Sequence, residues 1–81
     1  MKVVLITGVS SGFGRAIALW LANKEFKVYG TVRRKADPIP GVSYLNMDVT
    51  SRESVEKAVG EVYGKEGRID VLISNAGMGI A

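Results

Sequence analysis

A chain of 81 residues allows one small domain at most, and its 47% share of apolar residues is that of a globular chain rather than a disordered one. The absence of cysteine excludes disulfides and thiolate metal sites, and the absence of histidine removes the commonest metal ligand and any Ser-His-Asp catalysis. The net charge of +3 contains one basic cluster, Arg33-Arg34-Lys35, which is short enough to read as solvated surface, so neither nucleic acid nor a membrane is expected as a partner.

Lys2–Thr7 is a near-continuous β-branched and apolar run and predicts a strand covered on both faces. It is too short for a signal segment or a bilayer span, and a cytoplasmic location is expected. Thr7-Gly8-Val9-Ser10-Ser11-Gly12-Phe13-Gly14 follows and opens into a helix predicted over Phe13–Glu25. Phe13, Ile17, Trp20 and Leu21 fall at helical spacing and are expected to form its apolar stripe. A strand, a glycine-rich turn and a helix N-terminus in that order make a pyrophosphate-binding device. Glycines let the backbone turn sharply and approach the ligand, while the unpaired helix N–H groups and the helix dipole favour the anion.

Lys27–Val32 returns to strand character, and Arg33–Gly41, with Pro38, Pro40 and Gly41, predicts a loop where many open α/β folds place a helix. Val42–Met47 is a short third strand. Thr50 and Glu53 form an expected capping box for a helix running to about Tyr63, with Val55, Ala58, Val59 and Val62 on one face. Gly60 inside it should cost about 1 kcal/mol relative to alanine, and Gly64 and Gly67 offer ways to end it. Arg68–Ser74 supplies a fourth strand. The order β-α-β-loop-β-α-β predicts an α/β fold with a parallel sheet and right-handed crossovers. Two helices for four strands is thin cover.

Four matches, spread over essentially the whole chain, resemble the N-terminal half of the short-chain dehydrogenase/reductase family. They are Thr7-Gly8-x-x-x-Gly12-x-Gly14, Asp48-Val49 directly after the third strand, Asp70 entering the fourth strand, and Ser74-Asn75-Ala76-Gly77. The last is similar to the family's Asn-Asn-Ala-Gly with serine in the first place. The glycine spacing suits the family's compact single-domain branch. The resemblance implies a Rossmann-type parallel sheet, here the N-terminal part of a single NAD(P)-binding domain. It further implies that Gly8, Ser10, Ser11, Gly12, Phe13 and Gly14 border the dinucleotide, and that the Thr7 hydroxyl ties the turn to the backbone near Asn75-Ala76-Gly77. Asp48 would accept from the adenine amino group with Val49 beside the ring, and Asn75, Ala76 and Gly77 would flank the ribose nearer the nicotinamide.

NAD enzymes of this fold usually place an acid at the end of the second strand, where it binds the ribose 2′-hydroxyl. Val32 stands there, followed by Arg33 and Arg34. A carboxylate would repel a 2′-phosphate, whereas a guanidinium can bind it bidentately, so NADP(H) is favoured over NAD(H). Ser10 or Ser11 could add a hydroxyl donor to the same group.

The family's chemistry needs a tyrosine with a lysine four residues on, and a nearby serine. Tyr29, Tyr44 and Tyr63 are followed at that spacing by Arg33, Asp48 and Gly67, and Ser74 falls on a cofactor-binding strand. The resemblance therefore implies that the catalytic serine and the Tyr-x-x-x-Lys lie beyond Ala81, and no catalytic residue is assigned within the chain. The expectation is the cofactor-binding portion of a reductase acting on a small carbonyl or secondary alcohol, inactive alone, whose complete form is a homo-oligomer. A non-catalytic dinucleotide-binding or redox-sensing module is the alternative.

Overall fold

The computed structural model describes residues 1–9, 12–33 and 37–74. The elements are β1 (Val3–Thr7), α1 (Gly12–Ala22), β2 (Lys27–Val32), β3 (Val42–Asn46), α2 (Arg52–Glu66) and β4 (Val71–Ser74). All pairings are parallel, in the order β3-β2-β1-β4. The chain steps outward from β1 to β2 to β3, then crosses back to lay β4 on the far side of β1. That reversal makes the crevice beyond the carboxyl ends of β1 and β4 the switch point, the place where open α/β sheets bind ligands.

Alternation along the strands divides the core in two. Val4, Ile6, Val28 and Val32 face α1, while Val3, Leu5, Tyr29 and Leu45 face α2. Two-sided burial holds for β1, all of whose residues are buried, and nearly so for β2. It fails at the sheet's margins, where Leu72 of β4 is 60% exposed. Ile39 is buried in the α1-side core, so the loop before β3 covers apolar surface that a helix covers elsewhere.

The apolar stripe expected on α1 is displaced. Gly14, Ala18 and Leu21 are the buried residues, with Ile17 packed beside them, whereas Phe13 and Trp20 are 81% and 61% exposed. Residues 13 and 20 lie almost two turns apart at about 3.6 residues per turn, on a flank of the helix rather than over the sheet. Small side chains at 14 and 18 make the contact because they let the helix lie close to the strands. The helix also stops at Ala22, short of the expected Glu25, which adopts φ +68 in the turn into β2.

The expected capping box is not formed. The N-cap of α2 is Ser51, whose Oγ accepts from the Ser54 N–H at 3.2 Å. Thr50 donates instead to Asp48 through both its N–H and its hydroxyl. Both Thr50 donors thus go to a carboxylate, an acceptor about twice as strong as a neutral one, while its neighbour caps the helix. The expected apolar face does form, with Ala58 and Val62 buried and Val55 and Val59 packed against the same cluster. Gly60 and Gly64 stay inside the helix, which ends at Gly67 with its N–H on the Tyr63 carbonyl at 2.8 Å. The Tyr29 hydroxyl donates to Glu66, fastening β2 to the last turn of α2. That bond, aided by burial, pushes the Tyr29 phenol up to about 12.

Candidate functional site

The carboxyl ends of the strands bring the predicted residues to one end of the sheet. Thr7 of β1 lies in register with Ser74 of β4, and Val32 of β2 with Asn46 of β3. The turn after β1 carries Gly8 at φ +74 and Gly12 at φ +62, conformations that a Cβ disfavours. Its first residues are fastened to β2. The Gly8 N–H donates to the carbonyl and the Oγ1 of Thr31, each at 3.1 Å, and the Val9 N–H donates to the same carbonyl at 3.0 Å. Val9 is fully buried and rests on Gly30, where an added Cβ would lie 2.5 Å from Val9 Cγ2.

This clamp of Val9, Gly30 and Thr31 escaped sequence reasoning, although a glycine inside a β-branched strand signals a close approach. It also divides the work of the turn. The amides of Gly8 and Val9 are engaged with β2, so any anion held at this turn would draw on the start of α1, where the first four amides of a helix have no partner within the helix. No acidic residue stands in the first turn of α1 to repel one. Gly14 is buried and Phe13 points away from the core.

Arg33 follows β2 and is exposed. Asp48 follows β3, whose continuation is held to β2 by the Met47 N–H on the Val32 carbonyl at 3.0 Å, so the two charges sit at the same end of the sheet. Oδ1 of Asp48 accepts from the Thr50 hydroxyl at 2.7 Å and the Thr50 N–H at 3.0 Å. Those two bonds hold the carboxyl below its usual range, with the charge of Arg33 acting in the same direction. Arg15 of α1 donates to the Asp37 carbonyl at 3.2 Å and braces the loop that follows Arg33. Arg33, Asp48, Ser54 and Lys57 line an open cleft of about 710 Å³. Val49 lines a second cavity of about 240 Å³ with Thr7, Leu72 and Ser74.

Gly8, Gly12, Phe13, Gly14, Arg33, Asp48 and Val49 thus gather at one end of the sheet. Ser10, Ser11, Arg34, Asn75, Ala76 and Gly77 lie outside the described residues, as does the expected tie from Thr7 to the last three. Ala81, beyond which the catalytic serine and the Tyr-x-x-x-Lys are expected, also lies outside them, so the structure bears on neither. Asp70 sits at the opposite end of the sheet. Its Oδ2 accepts from the Val3 N–H at 2.7 Å, its own N–H donates to the Val3 carbonyl at 2.9 Å, and Arg68 grips its carboxylate at 2.6 to 3.1 Å. It fastens the start of β4 to the start of β1. Among the described residues no helix is long and apolar enough to cross a membrane.

The family described as short chain dehydrogenase matches residues 2–81. A 3-ketodihydrosphingosine reductase of Bacteroides thetaiotaomicron is 48% identical over 79 residues, covering 98% of this chain and 29% of the relative. Among solved structures, ligand-free aldohexose dehydrogenase of Thermoplasma acidophilum superposes with TM-score 0.88 at 33% identity, over 94% of this chain and 29% of that one. ElxO with NADP bound superposes with TM-score 0.83 at 32% identity, over 94% of this chain and 35% of that one. The chain thus spans about a third of the length of these proteins.

Proposed function

This chain belongs to the short-chain dehydrogenase family, and on that footing we propose that it is the NADP(H)-binding portion of an oxidoreductase, the N-terminal part of a single dinucleotide-binding domain. The observation that carries the reading is Arg33, a guanidinium directly after β2, where a carboxylate would mark an enzyme of the unphosphorylated cofactor. The donor set fits the group. The start of α1 offers amides to the pyrophosphate, Arg33 offers paired donors to the 2′-phosphate, and the ionised Asp48 offers an acceptor to the adenine amine. The NADP seen in ElxO supports the same preference.

When bound, the nicotinamide supplies or takes up the hydride exchanged with a carbonyl or secondary alcohol. A reductase of a keto compound and an aldohexose dehydrogenase among the similar proteins support that substrate class. The described residues bind and orient. The clamp of Val9 on Gly30 fixes the turn, and Thr31 fixes its first amides. None of Tyr29, Tyr44 and Tyr63 has a lysine four residues on, so proton transfer at the substrate oxygen is assigned to residues outside these. Replacing Arg33 by alanine in the intact protein should weaken NADPH about tenfold or more while leaving NADH nearly unchanged, as titration of both would read. Equal loss for both would overturn the assignment to NADP(H).

A further inference from the structure

Thr50 takes no part in capping α2, and its two donors converge on one atom. Its hydroxyl at 2.7 Å and its N–H at 3.0 Å both reach Oδ1 of Asp48. The backbone of Asp48 is held as well. Its N–H donates to Ser54 Oγ at 2.9 Å, and its carbonyl accepts from the Ser51 N–H at 3.0 Å. Two donors on one oxygen fix the rotation of the carboxylate and favour its charged form.

We propose that Thr50 is a positioning residue for base recognition: by engaging Oδ1 of Asp48 it turns Oδ2 toward the purine, where it accepts from an amino group and rejects an oxo group. Thr50 acts through Asp48 and does not itself touch the ligand. This role rests on the reading of Asp48 as the partner of the adenine amine. An oxo group in place of that amine sets acceptor against acceptor, so Oδ2 loses its donor from the base and meets repulsion in its place, and such mismatches discriminate more strongly than a missing contact. The preference holds only while the carboxylate cannot swing away, which is what Thr50 prevents.

The test is to titrate the intact protein with NADPH and with its hypoxanthine analogue, comparing wild type, Thr50→Val, Thr50→Ser and Asp48→Asn. The ratio of the two Kd values is the readout, and because both are measured on one preparation the folded fraction cancels. Ser51 still caps α2 in the Thr50 variants. Wild type should prefer the amino form by about tenfold. Thr50→Val should cut that preference by about threefold or more, and Thr50→Ser, which keeps both donors, should restore it. On acidification the preference should vanish at a higher pH in Thr50→Val than in wild type, because the carboxyl has lost the bond that holds its pKa down. A Thr50→Val protein with wild-type preference and pH profile overturns the role of Thr50 and leaves the adenine reading standing. An Asp48→Asn protein that keeps the preference overturns both.

Discussion

Gly30 and Val9 fit as socket and plug: the Cβ that any other residue would add at position 30 would lie 2.5 Å from Val9 Cγ2 and 3.0 Å from its Cγ1. The contact joins the middle of the sheet to the turn that leads from β1 into α1. Val9 has nowhere to retreat, since it is wholly buried and its N–H is fixed to the Thr31 carbonyl.

Gly30→Ala should therefore destabilise the protein by about 1–3 kcal/mol, as overpacking does, and should weaken NADPH binding by displacing the turn. Val9→Ala introduced into the same protein should recover part of both losses. Denaturant unfolding and cofactor titration across the four-member cycle measure the coupling. A neutral Gly30→Ala would show that the turn can shift freely.

Two other glycines should respond in the opposite direction. Gly60 and Gly64 lie within α2, and a Cβ at either meets nothing within 4 Å. Gly60→Ala and Gly64→Ala should each raise stability by about 0.5–1 kcal/mol, since alanine has less backbone freedom to lose in a helix. The midpoint of chemical denaturation reports the gain.

Asp70 sets an acid limit on the fold. Arg68, and then the Val3 N–H, hold its carboxyl below the ordinary value of 3.8. A carboxyl depressed in the folded state gives its full stabilisation above its unfolded value, and loses it as the pH falls toward the folded one. Unfolding free energy should accordingly decline below about pH 4. Asp70→Asn should be less stable at neutral pH and show a shallower acid decline, because the amide cannot accept from Val3 and Arg68 as a carboxylate does. Identical acid profiles for the two proteins would remove Asp70 from that role.

The margin at β4 should make the 81-residue chain self-associate. Val71 and Leu72 are 38% and 60% exposed on a strand paired only with β1 among the described residues. Unprotected apolar edges invite further pairing. Sedimentation should show mass rising with concentration, and Leu72→Lys should suppress the rise, since a charge there opposes close approach. A monomer at all concentrations would contradict the expectation.

The strand order in sequence, the glycine turn and the charged residues at the strand ends follow from local pattern alone. A strand buried on both faces must be largely apolar, and left-handed backbone favours glycine. Those demands act on single residues or short windows, so they are written directly in Lys2–Thr7 and in Gly8 and Gly12. The face that α1 buries is not so written. Phe13 and Trp20 have the hydrophobicity for the core, yet Gly14 and Ala18 hold the contact, because approach distance to a sheet favours small side chains. Only the tertiary structure decided that Thr50 serves Asp48 rather than α2, that Asp70 fastens the starts of β1 and β4, and that Val9 closes over Gly30. Each of these is a choice between partners distant in sequence, or between neighbouring residues that could serve the same group. Such choices are set by which groups the folded sheet brings within hydrogen-bonding or van der Waals reach.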